Sequence, residues 1–548
     1  MLFFLVPLAL GAQEQVSIRV DAGAGRGPFR PAWAFFGYDE PNYTYMKYGK
    51  KLLGELSALS AGPVYIRAHN LLTSGDGTPA LKWGSTNAYT EDAAGRPVYD
   101  WKILDRIFDA YKEARVKPLV EIGFMPEALS TKPQPYRHDW PKGKLTAGWA
   151  YPPKDYGKWA ELVYQWVRHA IERYGRAEVA SWYWEVWNEP DIGYWQGTPE
   201  EYYKLYDYAA DAVKRALPGA RVGGPHSTGP ASPKAAEFLR RFLEHCARGT
   251  NYATGRRGAP LDYIAFHPKG SPRLAEGRLR MGIARQLQSV DKGFEIVASF
   301  PEFKSTPVIL GESDPEGCAA CPARVYPQNA YRNGALYPCY TAAVYARTLE
   351  LADKYGTNFA GAVTWAFEFE DQPYFDGFRT LATNGIDKPV LNVFRMFGLM
   401  GGERLRVEST SAVALDAILK SGVSERADVA ALATRQERKL SALVWNYHDE
   451  DVAGPEAAVR LVVEGVPASA RRVLVHHYRI DEGHSNAYTV WKGMGAPQNP
   501  TPEQYARLEE AGQLEQLESP QWMSPAGGKL EMNFRLPRQG TSLVEVSW

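Results

Sequence analysis

Two glutamates stand where chemistry can be done. Glu189 lies in Trp187-Asn188-Glu189-Pro190-Asp191, directly after an apolar run, and Glu312 closes the run Val308-Ile309-Leu310-Gly311-Glu312. A carboxyl group among aromatic rings is desolvated, and its pKa rises toward the range that a general acid needs near neutrality. A carboxylate on a rigid strand end can instead serve as a nucleophile. Pro190 stops a helix and fixes the loop direction. Asn188 can hydrogen-bond a hydroxyl beside the reacting carbon. Asp314 and Glu316 compete with Glu312, but they lie in a loop without a strand behind them. The ordinary fate of a strand-end glutamate is a surface ion pair; an aromatic residue, an amide and a proline packed around Glu189 argue for a different one.

The surrounding elements explain how two such groups can meet. Short apolar segments at 32–37, 63–69, 118–124, 182–187, 221–224, 262–267, 307–311 and 361–367 alternate with amphipathic helical patterns. They lack clean polar alternation, as parallel strands covered on both faces do. One helix is predicted over 158–174, with Leu162, Val163, Trp166, Val167, Ala170 and Ile171 on one face. Another opens at Thr198-Pro199-Glu200-Glu201, a capping box with proline at the first helical position. Eight such units predict an α/β fold, a (β/α)8 TIM barrel over 30–400. A doubly wound sheet would carry a glycine-rich phosphate turn before a helix. Gly23-Ala24-Gly25-Arg26-Gly27 is followed by Pro-Phe-Arg-Pro instead, and there is no Walker or His-Glu-x-x-His sequence. Catalytic groups of a TIM barrel come from the C-terminal strand ends. Strands four and seven face each other across the mouth. Carboxyls there ~5–5.5 Å apart would cleave a glycoside with retention, and ~6.5–9.5 Å apart with inversion.

Beyond 401 the pattern changes to short strands at 413–418, 441–445, 458–463, 472–478, 529–534 and 542–546, which predicts a C-terminal β-sandwich domain over 401–548. A helical insertion is expected near 501–514, and segment 13–29 is expected to add a strand to the same sheet. The chain of 548 residues has 63 Lys plus Arg against 63 Asp plus Glu, so charge gives no reason to expect nucleic acid or an anionic membrane as partner. The run Leu2 to Leu10 followed by Gly11-Ala12 predicts a signal peptide over 1–12 and export to the periplasm or medium; it is too short to span a bilayer. Four cysteines, Cys246, Cys318, Cys321 and Cys339, leave open a local disulfide or buried thiols. A zinc site would need a second close pair of ligands, so no metal is expected.

Trp-Asn-Glu-Pro on strand four with a glutamate ending strand seven resembles the retaining clan of (β/α)8 glycosidases. Longer stretches resemble glycoside hydrolase family 39, bacterial β-xylosidase branch, over nearly the whole chain. They are Ile66-Arg67-Ala68-His69-Asn70, Val120-Glu121-Ile122-Gly123-Phe124-Met125-Pro126, Gly311-Glu312-Ser313-Asp314-Pro315-Glu316-Gly317-Cys318, Thr364-Trp365-Ala366-Phe367-Glu368-Phe369-Glu370-Asp371 and His484-Ser485-Asn486-Ala487-Tyr488. The resemblance implies Glu189 as acid/base and Glu312 as nucleophile, with no metal or organic cofactor. It implies an oligosaccharide substrate held by His69, Phe124, Asn188, Trp195, His267, Trp365, Glu370 and Asp371. Two positions depart from the family pattern: Lys269 where tyrosine is usual, and Glu370-Asp371 in place of two glutamates. The expected activity is exo-acting β-xylosidase. The alternatives are α-L-arabinofuranosidase, β-galactosidase or uronide hydrolase, and, in another class, a non-catalytic carbohydrate-binding protein. A uronide would call for a basic residue near the sugar's C5 substituent, and Lys269 is the candidate.

Overall fold

The computed structural model describes residues 15–137, 146, 148–365 and 367–548. The predicted signal segment 1–12 lies outside them. Eight parallel strands form a closed barrel: Phe35–Tyr38, Tyr65–Ala68, Lys117–Ile122, Tyr183–Val186, Arg221–Thr228, Tyr263–His267, Val308–Leu310 and Phe359–Trp365. They pair in chain order, and the eighth pairs with the first. This is the predicted TIM barrel.

Side chains alternate along a strand, so every second residue points into the barrel. The lower interior is apolar and aromatic: Phe35, Leu119, Tyr183, Tyr263, Ile309 and Val363 form one buried cluster. Tyr183 packs edge-on against both Tyr65 and Tyr263, with ring centroids 5.0 and 5.1 Å apart. Two residues nearer the mouth the same strands carry Arg67, Glu121 and Glu185, all fully buried. The register sets Glu121 opposite Glu185. The barrel is thus plugged by rings below and lined by charge above. Gly37 makes room for this arrangement, since a Cβ there would lie 2.4 Å from the Trp365 ring.

The two capping boxes act as read, and the helix expected over 158–174 begins two residues earlier behind a cap the sequence reading did not name. Asp155 caps Tyr156–Tyr174, and Thr198 and Thr501 close capping boxes on Pro199–Ala216 and Pro502–Ala511. Two readings need correction. Segment 413–418 is no strand: Leu415–Ser421 is a helix, with Leu415, Ile418 and Leu419 at helical spacing against the barrel layer. Strands Glu403–Ser409 and Asp428–Gln436, and the Asn486-capped helix Ala487–Gly493, were not anticipated.

The second domain is a ten-stranded sheet. Its halves are joined by the pairs Glu403 with Arg435 and Arg404 with Thr434 and by the bridge Ser411 with Val429. Val20 and Leu461 of one half share a core with Leu440 and Val544 of the other, so the halves face each other as a sandwich. Strand Val16–Pro28 belongs to this sheet, pairing antiparallel with Glu403–Ser409 and parallel with Ala457–Glu464.

The sandwich is tied to the barrel by a buried ion pair. Arg347, on helix Leu336–Tyr355, reaches both oxygens of Asp428 at 2.9 and 3.1 Å. Asp428 also accepts from the Val413 amide and the Trp445 indole. Removing one partner of such a pair strands the other charge, so Arg347→Ala should cost about 3–5 kcal/mol. The expected result is a lower midpoint of urea unfolding; an unchanged midpoint would show that the pair is not structural.

Candidate active site

The C-terminal ends of strands four and seven bring the two glutamates together. A carboxylate oxygen of Glu189, one of Glu312 and a ring nitrogen of His267 all lie within 4.8 Å of one another. Glu189 reaches this position through a tight loop in which Trp187 (φ 72°) and Glu189 (φ 44°) are left-handed. Such residues are costly without glycine and persist only where the surroundings hold them. Here the Glu189 amide donates to the His226 carbonyl, the Trp187 indole donates to the Tyr194 carbonyl, and Asp191 accepts from Thr228.

Arg67 is the hub below the pair. Its Nε and Nη2 donate to both oxygens of Glu185 at 2.7 Å, Nη2 donates to Asn188 Oδ1 at 3.0 Å, and Nη1 donates to Glu312 Oε1 at 3.0 Å. Asn188 is thereby oriented by the same guanidinium that holds Glu312. His69 sits beside it, with Nδ1 2.6 Å from Asp39 and Nε2 3.5 Å from Glu312. Burial alone would push its pKa down; Glu121, Asp39 and Glu312 outweigh burial and raise it to about 9. Burial, assisted by Glu185, lifts Glu121 to about 8. Trp365 floors the site, with its ring 4.3 Å from that of His69 and 4.9 Å from the Arg67 guanidinium. Phe124 stacks on Tyr194 and meets the edge of Trp187.

Lys269 stands over the pair. Its ammonium contacts Glu312 Oε2 and lies 3.5 Å from Glu189 Oε1. Burial raises the pKa of Glu312, but Lys269, His267, His69 and Arg67 outweigh it and hold the carboxyl well below its usual value. For Glu189 burial again raises, and Lys269 and His267 pull it below its usual value, while the Glu312 charge opposes them. The Glu189, His267 and Glu312 trio has the spacing of metal ligands. Lys269 and Arg67 already press positive charge on these carboxylates, so the residues present do not fit a cation.

A cavity of about 720 Å³ opens above, lined by Glu189, His267, Lys269, Tyr136, Tyr194 and the loop carrying Glu316, Cys318 and Cys321. Cys318 and Cys321 form a disulfide, and Cys246 and Cys339 are free and buried. His69, Phe124, Asn188 and Trp365 surround the glutamates but lie below this opening. Three expected contacts are elsewhere. Trp195 packs edge-on against Trp187, its indole donates to the Thr198 carbonyl, and it lines a separate outer pocket. Glu370 accepts from the Tyr48 and Gly49 amides and so caps helix Lys47–Ala58. Asp371 is exposed at a left-handed turn. Phe367 and Glu370 both lie against that helix, so the short spacing from Trp365 does not bring Glu370 to the glutamates. Arg67, Glu185 and His226 join this cluster although the sequence assigns none of them to the site. Period-two alternation from Tyr65 and Tyr183 could have found the first two.

A (β/α)8 barrel with a buried carboxylate pair at its strand ends is the architecture of a glycoside hydrolase. The family profile of "Glycosyl hydrolases family 39" matches residues 16–528. The chain belongs to that family and acts on a carbohydrate. It is 28% identical over 494 residues to a β-xylosidase of Geobacillus stearothermophilus, covering 88% of this chain and 86% of the relative. It is 27% identical over 582 residues to the α-L-iduronidase of Mus musculus, covering 99% and 82%. In fold it is similar to a monomeric β-xylosidase from Caulobacter crescentus, with TM-score 0.74 at 22% identity over 97% of this chain and 99% of that one.

Proposed function

We propose that the protein is an exo-acting β-xylosidase that works by double displacement with retention, releasing xylose from non-reducing ends. The carrying observation is that a carboxylate oxygen of Glu189 and one of Glu312 lie within 4.8 Å of each other, nearer the ~5–5.5 Å spacing of a retaining pair than the ~6.5–9.5 Å of an inverting one. Glu312 attacks the anomeric carbon while Glu189 gives its proton to the leaving oxygen. While Glu312 is charged it lifts the pKa of Glu189. Once Glu312 is esterified that charge is gone, and Glu189 falls into the range of a base that activates water. Arg67, His69 and Asn188 would hold the nucleophile and the sugar hydroxyls. Identity to β-xylosidases over most of both chains supports the sugar. A panel of aryl glycosides tests it: turnover of 4-nitrophenyl β-D-xyloside is expected to lead, and a lead for any other sugar would overturn the assignment.

Lys269 favours a second reading, hydrolysis of a uronide. Its ammonium covers Glu312, and Arg379, paired with Asp314 at 3.1 Å, adds positive charge behind it. A sugar carboxylate could draw Lys269 away and uncover the nucleophile. Lys269→Met separates the readings. On a neutral xyloside, losing the cation raises the pKa of Glu312, so the acidic limb of kcat/KM moves to higher pH with little change in KM. On a uronide, KM should rise at least about tenfold, the worth of one charge-assisted contact.

We further propose that the chain is exported. The apolar run Leu2 to Leu10 and the local disulfide support this. Sequencing of the mature N-terminus should find cleavage near Ala12; a mature protein starting at Met1 would refute it.

A further inference from the structure

Three buried groups run in line behind Glu189. Glu185 Oε2 is 3.0 Å from His226 Nε2, His226 Nδ1 is 3.3 Å from His267 Nε2, and His267 Nδ1 is 2.9 Å from Glu189 Oε1. Glu185 and His226 are 0% exposed and His267 1%. Gly311 makes the two imidazoles' meeting feasible: a Cβ there would come within 2.3 Å of His226 Nδ1 and 2.8 Å of His267 Nε2.

The chain has a direction. A neutral imidazole has one donor and one acceptor, so the role of one nitrogen fixes the other. Burial keeps both rings neutral, His226 down to about 4 and His267 below its usual value. Burial would protonate Glu185, but the two-pronged contact with Arg67, helped by His226, holds it as a carboxylate. A carboxylate only accepts. The His226 nitrogen facing it must therefore carry hydrogen, which leaves Nδ1 as a lone pair. His267 Nε2 then donates to that lone pair, and His267 Nδ1 becomes a lone pair facing Glu189. Two acceptors cannot share a 2.9 Å contact, so Glu189 must bring the proton. The opposite tautomers would set a His226 lone pair against the Glu185 carboxylate with no water to separate them. The Tyr263 hydroxyl, 3.4 Å from His226 Nε2, can donate or accept and selects neither direction.

We propose that Glu185 and His226 are positioning residues that fix the tautomer of His267, so that its Nδ1 accepts the Glu189 proton and keeps Glu189 in its acid form. This rests on Glu189 being the acid/base. It supplies what the pair itself lacks, because Lys269, and His267 whenever it donates from Nδ1, pull Glu189 toward the carboxylate. After Glu189 has given its proton to the leaving oxygen, the same lone pair leaves its carboxylate without a donor on that side, which makes it the stronger base for the water step. The groups facing Glu189 and His267 are Lys269, Glu312, Arg67, Asp191 and Tyr194. None of them replaces the tautomer constraint.

The test is the pH dependence of kcat/KM for wild type, Glu185→Gln, His226→Phe and Glu189→Ala, with the aryl glycoside that wild type cleaves fastest. The Glu185→Gln amide can donate to His226 Nε2 and so reverse the chain. His226→Phe frees His267 to carry hydrogen on Nδ1. Either change lets His267 donate to the Glu189 carboxylate, and the basic limb should fall by about one pH unit. A limb midpoint does not depend on how much of a variant is folded. Glu189→Ala should lose the basic limb altogether. Unchanged basic limbs in both relay variants, with the limb lost in Glu189→Ala, would overturn the proposal and leave Glu189 as acid/base. A wild-type basic limb in Glu189→Ala would overturn the assignment of Glu189 itself.

Discussion

Glu312→Ala should lose turnover by ~10⁴-fold or more in kcat, since a group acting as part of one catalytic unit takes most of the rate with it. The variant keeps its pocket but has no atom to attack the anomeric carbon. It also leaves Lys269, Arg67 and His69 facing a void where a carboxylate had paired with them. That void is cationic and the size of a small anion. Added azide should therefore enter it and attack from the Glu312 side, restoring turnover and giving a glycosyl azide of inverted configuration. Kinetics with and without azide, and NMR of the product, check both parts. Full turnover by Glu312→Ala without azide would remove Glu312 from the mechanism and leave Asp314 as the nearest rival. Asp314 is itself lifted by burial to about 7 and engaged by Arg379 and the Trp365 amide, so it is poorly placed to replace Glu312.

Glu189→Ala should show a different dependence. General acid catalysis contributes ~10²–10⁴-fold, and the loss should follow how badly the leaving group needs a proton. A methyl glycoside should lose the full factor. A dinitrophenyl glycoside, whose phenolate departs unprotonated, should still form the glycosyl-enzyme and give a burst of phenolate. The slow step then becomes hydrolysis, which lacks its base. Azide should accelerate that step by attacking the intermediate in place of water, and the azide product should have retained configuration. Opposite product configurations from the two variants separate the roles of two carboxylates that lie within 4.8 Å of each other. An equal loss on both leaving groups would mean that Glu189 is not the acid.

Local signals carried the sequence far at some positions and failed at others for identifiable reasons. The barrel was readable because its strands are short apolar runs, and helices Tyr156–Tyr174 and Pro199–Ala216 carry side-chain caps. Glu189 was readable because its neighbours along the chain, Trp187, Asn188 and Pro190, are also its neighbours in space. Glu312 was readable only once the strands were counted. The relay was not readable, because Glu185, His226 and His267 come from three strands and their meeting depends on barrel register and on the missing side chain of Gly311. Lys269 was visible as a departure from the family pattern, yet only the closed barrel shows that it lies over Glu312. Trp195 and Glu370 misled because their spacing from motif residues suggested the site, while packing on Trp187 and capping of helix Lys47–Ala58 claim them instead. Segment 413–418 misled because a short apolar run suits a strand and a helix alike.

The spacing of Glu189 and Glu312 calls for a covalent glycosyl-enzyme rather than a water activated between them. Proton NMR of the first sugar released, recorded before mutarotation, tests it most directly. Starting from a β-xyloside, β-xylose is expected to appear first and the α anomer only later. First appearance of α-xylose would contradict double displacement and require an inverting mechanism.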